Sequence, residues 1–166
     1  MNIGGVGAEN YYVVECFDKD GSLKWTDKIT NLVPTAGLNK LLDACFKTGL
    51  TTPAWYVGLK GAGTPAAGDT MASHATWSEL TIYSDTTRRA FTPGTISSGS
   101  VDNSASKAVF NINGSGTVTG CFMADDSTKS GTTGTLYGVG DFTGGSKTVA
   151  SGDIINVTVT VTATAA

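Results

Sequence analysis

The sequence DIINVTVTVTAT, residues 153–164, decides the fold class of this chain. Ile155, Val157, Val159 and Val161 alternate there with polar residues, mostly threonine. Because successive side chains of a β-strand point to opposite faces, this period of two predicts a strand with one buried and one exposed face. The segment therefore predicts a sheet that packs against a core on one side.

Similar segments of β-branched and aromatic residues recur along the rest of the chain. We predict further strands over 11–17, 22–30, 55–60, 77–84, 107–112, 117–123 and 136–142. The glycine-rich residues 113–116 predict a hairpin between the strands at 107–112 and 117–123. One segment has a different period: Leu38, Leu41 and Cys45 follow helical spacing and predict a helix near residues 35–48, with Thr35 as its N-cap.

The composition favours the same fold class. The chain holds 26 Thr, 14 Ser and 22 Gly, and only 15% of its residues are charged. Threonine suits a pleated, half-exposed surface, and glycine and serine suit turns. We therefore predict a mainly β, single-domain β-sandwich, which could be jelly-roll-like, or else an irregular barrel, with one short helix. The glycine-rich residues 1–10 predict a flexible N-terminal arm, and residues 11–166 the single β domain.

Residues that could carry catalysis are few. The one histidine, His74, follows Ser73 and lies near Asp69, but adjacent side chains of an extended chain point in opposite directions. The glycine-rich residues 58–63 match neither the dinucleotide-binding nor the phosphate-binding motif. We predict that the chain is not an enzyme and that it has no catalytic, cofactor-binding or metal-binding residues.

Cysteine spacing and charge exclude several other classes of protein. Cys16, Cys45 and Cys121 form no C-x-x-C motif, so we predict buried free thiols, consistent with assembly in a reducing cytoplasm. The net charge is -3 and the basic residues are scattered, which predicts no nucleic-acid partner. Residues 1–9 lack the pattern of a signal peptide, and the apolar runs are too short to cross a membrane, so we expect no membrane partner.

Two binding alternatives stay open. Trp25, Trp55 and Trp77 could line a sugar-binding groove, although each lies in or beside a predicted strand, which favours packing in the core. Acidic residues at 18, 20, 125 and 126 carry the oxygen atoms that calcium prefers, although turn formation explains them as well.

Several segments together resemble a group of small virion proteins of tailed bacteriophages, often encoded beside the major capsid protein. They are ITNLV (29–33) with GLN (37–39), WYVGL (55–59), AGDTMASH (67–74), VDNSA (101–105) and GTLY (134–137). The resemblance implies a capsid decoration, or cement, protein that binds the outer head surface and stabilises capsomer contacts. It implies a homotrimer, the major capsid protein as partner, synthesis in the host cytoplasm and a place on the virion. A tail or fibre component, or a carbohydrate-binding module on the virion surface, is the alternative.

We expect the contacts with the capsid and between subunits in two places, the N-terminal arm and the long loop at 61–76. A surface with few charges can meet another protein without desolvating ions. The candidate contact residues are Met1, Asn2, Ile3, Gly4, Gly5, Gly63, Thr64, Pro65, Met71 and His74.

Overall fold

The computed structural model of the chain describes residues 6–47 and 53–165, and these form a mainly β fold with one α-helix. The strands are β1 (Val6–Phe17), β2 (Leu23–Thr30), β3 (Tyr56–Gly63), β4 (Trp77–Leu80), β5 (Arg89–Ala90), β6 (Ser100–Asp102), β7 (Ala108–Asn111), β8 (Gly116–Val118), β9 (Gly120–Ala124), β10 (Leu136–Asp141), β11 (Lys147–Val149) and β12 (Ile154–Ala165). The helix, α1, is Thr35–Phe46.

Two five-stranded sheets make up most of the structure. The first has the order β2-β1-β12-β6, with β7 also paired to β12. The second has the order β10-β9-β3-β4, with β5 also paired to β3. The sheets are antiparallel and do not close into a barrel, which confirms the predicted β-sandwich and sets aside the barrel alternative.

The core lies on the apolar faces of β1 and β12. Val14 is paired with Val157 and Tyr12 with Val159, and all four side chains are fully buried. Full burial of one such side chain stabilises the fold by about 1.5–3 kcal/mol. The alternation in residues 153–164 therefore predicted this strand and its buried face correctly.

The N-terminal boundary differs from the prediction. Residues 6–10 belong to β1 and pair with residues 161–165 of β12, so they are not part of a flexible arm. The small residues Gly7 and Ala8 had indicated flexibility, but backbone pairing with β12 orders them. The rest of the predicted arm, Met1 to Gly5, lies outside the described residues.

The predicted hairpin between residues 107–112 and 117–123 is wrong. β7 pairs with β12 in the first sheet, whereas β9 lies between β3 and β10 in the second. All five residues of β9 are buried, as expected for a central strand covered on both faces. The strong hydrophobicity of this segment thus favoured a central position over a place beside its neighbour in sequence.

Helix α1 occurs where it was predicted, but its orientation is not the one its apolar stripe suggested. Leu38 and Leu42 are 42% and 58% exposed, and Cys45 is exposed as well, so the prediction of a buried thiol is wrong there. The buried residue is Gly37: a Cβ at this position would lie 2.4 Å from the carbonyl oxygen of Tyr137. The helix therefore approaches β10 through a glycine. Pro34, not Thr35, is the N-cap residue.

This close approach predicts an unusual effect of Gly37→Ala. Alanine is a better helix former than glycine by about 1 kcal/mol, yet here its methyl group would collide with the backbone of Tyr137. We expect a net loss of about 1–3 kcal/mol in the free energy of unfolding, measured by urea denaturation. Gly68→Ala is the control, because a Cβ at Gly68 has no atom within 4 Å. Neutral or higher stability of Gly37→Ala would contradict the packing described.

Candidate contact surface

The long loop between β3 and β4 is held by its own buried acidic residue. Asp69 is 7% exposed, and its Oδ2 accepts hydrogen bonds from the amide of Ala66 at 2.8 Å and from Nε1 of Trp77 at 2.9 Å. Trp77 in turn packs on Phe122 of β9, with ring centroids 5.2 Å apart. The loop is therefore attached to the core of the second sheet and presents a fixed surface.

The structure separates nine of the ten predicted contact residues into three groups, and His74 is described separately. Gly63 and Thr64 are exposed and Pro65 is half-buried, so these three are available on the surface. Met71 is 1% exposed and packs in the apolar cluster around Trp77, so its prediction as a contact residue is wrong. Met1, Asn2, Ile3, Gly4 and Gly5 lie outside the described residues.

His74 is half-buried and serves the packing of the loop. Its ring stacks on Trp77, with centroids 4.1 Å apart, and its Nδ1 lies 3.1 Å from the carbonyl oxygen of Trp77. Oδ2 of Asp69 accepts from Trp77 and Ala66. Ser73, His74 and Asp69 are thus placed as parts of a folded loop, and their hydrogen bonds do not form a catalytic relay.

The three tryptophans are distributed over different parts of the sandwich. Trp77 is buried, whereas Trp25 and Trp55 are half-buried and pack against the core. Trp25 contacts Phe142 with centroids 5.5 Å apart, and Trp55 contacts Tyr137 at 5.1 Å. Core packing accounts for Trp77 fully and for the other two in part.

The second long loop, residues 125–135, is held by a fully buried arginine. The guanidinium of Arg88 contacts both carboxylate oxygens of Glu79, at 2.8 and 3.2 Å. It also donates to the carbonyl oxygens of Asp126 and Gly131, at 2.9 and 2.8 Å. Because each donor of a buried guanidinium needs an acceptor, these contacts fix the loop in one conformation.

A second buried cation lies at the end of β3. The Nζ of Lys60 is 2.6 Å from Oδ1 of Asp141 and 3.0 Å from Oγ1 of Thr119, and it also donates to the carbonyl oxygens of Gly61 and Gly63. The sequence did not predict the burial of Lys60 or Arg88. The available signal for Lys60 was a single lysine in the otherwise apolar strand YVGLKGAG.

Two of the acidic residues that could have bound calcium, Asp18 and Asp126, accept hydrogen bonds within their own loops. Asp18 accepts the amides of Asp20 and Ser22, both at 2.9 Å. Hydrogen bonds from Thr133 and Thr128 lower the pKa of Asp126 to about 2. Within 6–47 and 53–165, no three His, Cys, Asp or Glu residues form a group that could hold a metal ion.

Two of the three cysteines have the environment that the sequence predicted. Cys16 and Cys121 are fully buried and free. Burial raises the pKa of the Cys16 thiol to about 11 and that of the Cys121 thiol further. Both thiols are therefore protonated and unreactive at neutral pH.

Two of the grooves on the surface of the described residues are large enough to consider as binding sites. The larger, of about 690 Å³, lies between the start of β1 and helix α1, and Glu9 is the one carboxylate among its described lining residues. The smaller, of about 240 Å³, has an apolar lining that includes Trp55, Phe91 and Ile96. The described lining of neither groove contains the paired carboxylates that glycoside hydrolysis requires.

Comparison of the chain with protein-family models, curated proteins and solved structures gave no match. In the part of the chain that the structure describes, no helix is long and apolar enough to cross a membrane.

The neighbours Arg88 and Arg89 provide a matched test of the buried ion pair. Arg88→Ala leaves Glu79 buried without its cation, and we expect a loss of about 3–5 kcal/mol in the free energy of unfolding. The Arg89 side chain is 38% exposed and paired with Asp85. Arg89→Ala should therefore lower the free energy of unfolding by less than about 1 kcal/mol. Urea denaturation of both variants measures the difference, and equal losses would contradict the role given to Arg88.

Proposed function

We propose that the chain is a structural protein of a bacteriophage virion, most simply a capsid decoration (cement) protein that binds the outer head surface and stabilises capsomer contacts. One observation carries the proposal: both long loops are fixed by buried polar contacts, at Asp69–Trp77 and at Arg88–Glu79. A loop that is already ordered loses little conformational entropy on binding. Rigid loops on a sandwich therefore suit permanent attachment to a protein lattice.

The resemblance of segments such as WYVGL (55–59) and AGDTMASH (67–74) to small phage virion proteins supports the same proposal. The major capsid protein is then the partner, and the virion surface is the place where the chain acts. A tail or fibre position fits the same loops and is distinguished by the experiment below.

The physical mechanism is linkage between binding and lattice stability. A protein that binds the assembled lattice more tightly than the free subunits stabilises the lattice by mass action. Several copies that are joined to one another reinforce their individual contacts through effective concentration. We assign the capsid contacts to Gly63, Thr64 and Pro65, which are accessible at the start of the first loop, and to residues 1–5.

A carbohydrate-binding module on the virion surface is the second candidate. The observation that favours it is the smaller groove, where Trp55 and Phe91 present aromatic surface. Aromatic rings of this kind can stack on the apolar face of a sugar. Protection of the chain against thermal unfolding by a glycan, lost in Trp55→Ala, would support this candidate over the first.

Substitution at Thr64 tests the proposed attachment. We expect Thr64→Arg to weaken binding to purified heads that lack the chain by at least tenfold, because it adds a bulky charge to a surface that must be desolvated. Thr148→Arg is the matched control, since Thr148 is also exposed but lies on β11. Co-sedimentation with the heads measures binding.

A deletion of residues 2–5 provides the second variant, and it should weaken binding without lowering the unfolding temperature by more than a few degrees. Wild-type chain that fails to bind heads, and that imaging locates on the tail, would replace the head assignment with the tail alternative. Phage particles without the chain would refute a virion role altogether.

A further inference from the structure

The connection between β7 and β8 contains the one Asn-Gly pair of the sequence, Asn113-Gly114. The side chain of Asn113 is exposed. The backbone amide of Asn113 donates to the carbonyl oxygen of Ile82 at 3.0 Å, and this bond holds the main chain just before the pair. The side chain of Asn113 is thus accessible to solvent on a main chain that is anchored on one side.

The backbone amide of Gly114 is not engaged. It lies outside the strands, and it donates to no acceptor among the described residues. Glycine has no Cβ, so its main chain can adopt conformations that other residues rarely reach. The nitrogen of Gly114 can therefore approach the side chain of Asn113 without breaking a hydrogen bond.

The neighbouring asparagine provides a structural contrast. Asn111 is exposed as well, but the amide that follows it, that of Ile112, donates to the carbonyl oxygen of Asp153 at 2.9 Å. Ile112 is also β-branched, which restricts approach to its nitrogen. The amides that follow Asn31 and Asn103 are donated too, at 2.9 and 2.7 Å. An exposed asparagine followed by an unengaged amide thus occurs at Asn113 and not at these three positions.

We propose that Asn113 is a site of spontaneous deamidation, in which the backbone nitrogen of Gly114 attacks Cγ of Asn113. A base from the solvent removes the amide proton of Gly114, and the new N–Cγ bond closes a five-membered succinimide ring. The Cγ–Nδ2 bond breaks, and Nδ2 leaves as ammonia. Water then opens the ring at either carbonyl carbon and leaves aspartate or isoaspartate. The conversion consumes one water molecule, releases one ammonia molecule and involves no oxidant or reductant.

The fold can accept both products. The bond from Asn113 to Ile82 uses the amide nitrogen of Asn113, which takes no part in the reaction. The strand pairs that flank the loop, β7 with β12 and β8 with β11, do not include Asn113 or Gly114. Each product adds one negative charge to a chain of net charge -3, and isoaspartate also lengthens the main chain by one methylene group. The modification goes beyond the proposed function, because it depends on this loop alone and not on a virion.

Peptide mapping by mass spectrometry tests the site. The folded chain is incubated at mildly alkaline pH beside a free peptide of the sequence INGSG, residues 112–116. We expect Asn113 in the folded chain to convert at a rate within about tenfold of the peptide rate, because no opening of the structure has to precede the reaction. Asn111 is the internal control and should stay unmodified. A rate at Asn113 more than about tenfold below that of the peptide, or equal conversion of Asn111, would overturn the proposal.

Substitution of the attacking residue tests the mechanism. We expect Gly114→Ala to slow the conversion of Asn113 by at least about tenfold, because a Cβ restricts the approach of the nitrogen. The fold should tolerate this change, since a Cβ at Gly114 would lie 3.5 Å from Cβ of Ile82, an ordinary contact. Gly68→Ala is the matched control and should leave the rate unchanged, because Gly68 belongs to the loop between β3 and β4. An unfolding temperature close to that of the wild type shows that Gly114→Ala is folded, and conversion at the wild-type rate in that variant would refute the mechanism.

Discussion

The antiparallel pairing of β1 with β12 is the constraint on which the rest of the structure depends. It joins two twelve-residue strands from the two ends of the described chain, Val6–Phe17 and Ile154–Ala165. The inward side chains of this pair form one side of the core. Strand β2 pairs with β1, and strands β6 and β7 pair with β12. Since contacts between such distant parts of a chain require closure of a long loop, we expect this pair to form late in folding and to make the fold strongly cooperative.

Buried charges give the sandwich its rigid exterior. Arg88 and Lys60 have no exposure to solvent, and both donate to backbone carbonyl oxygens as well as to a carboxylate. A buried ion pair contributes little net stability compared with apolar packing, but it strongly disfavours conformations that leave one charge without its partner. The loops at 64–76 and 125–135 are thereby restricted to one arrangement, and this suits the contact role proposed for them.

The first residues of β1 pair with β12 on one side, and pairing with β2 begins only at Tyr11. Many proteins protect such an edge with lysine, proline or a bulge, whereas Gly7 and Ala8 provide no such protection here. Leu38 and Leu42 of α1 are exposed beside it, whereas Gly37 makes the close approach to β10 and Leu41 packs against the core.

The sequence by itself determined the local features: the long strands β1, β2 and β12, the position of α1 and the buried faces of β1 and β12. These follow from alternation and spacing within a few residues, since strand and helix geometry fix which neighbours share a face. Only the tertiary structure decided that β7 and β9 lie in different sheets, that Leu38 and Cys45 face outward, that Met71 is buried, and that Arg88 and Lys60 have buried acceptors. Each of these depends on groups far away in the chain, such as Tyr137 opposite Gly37 or Gly131 beside Arg88. A local sequence pattern carries no information about such partners.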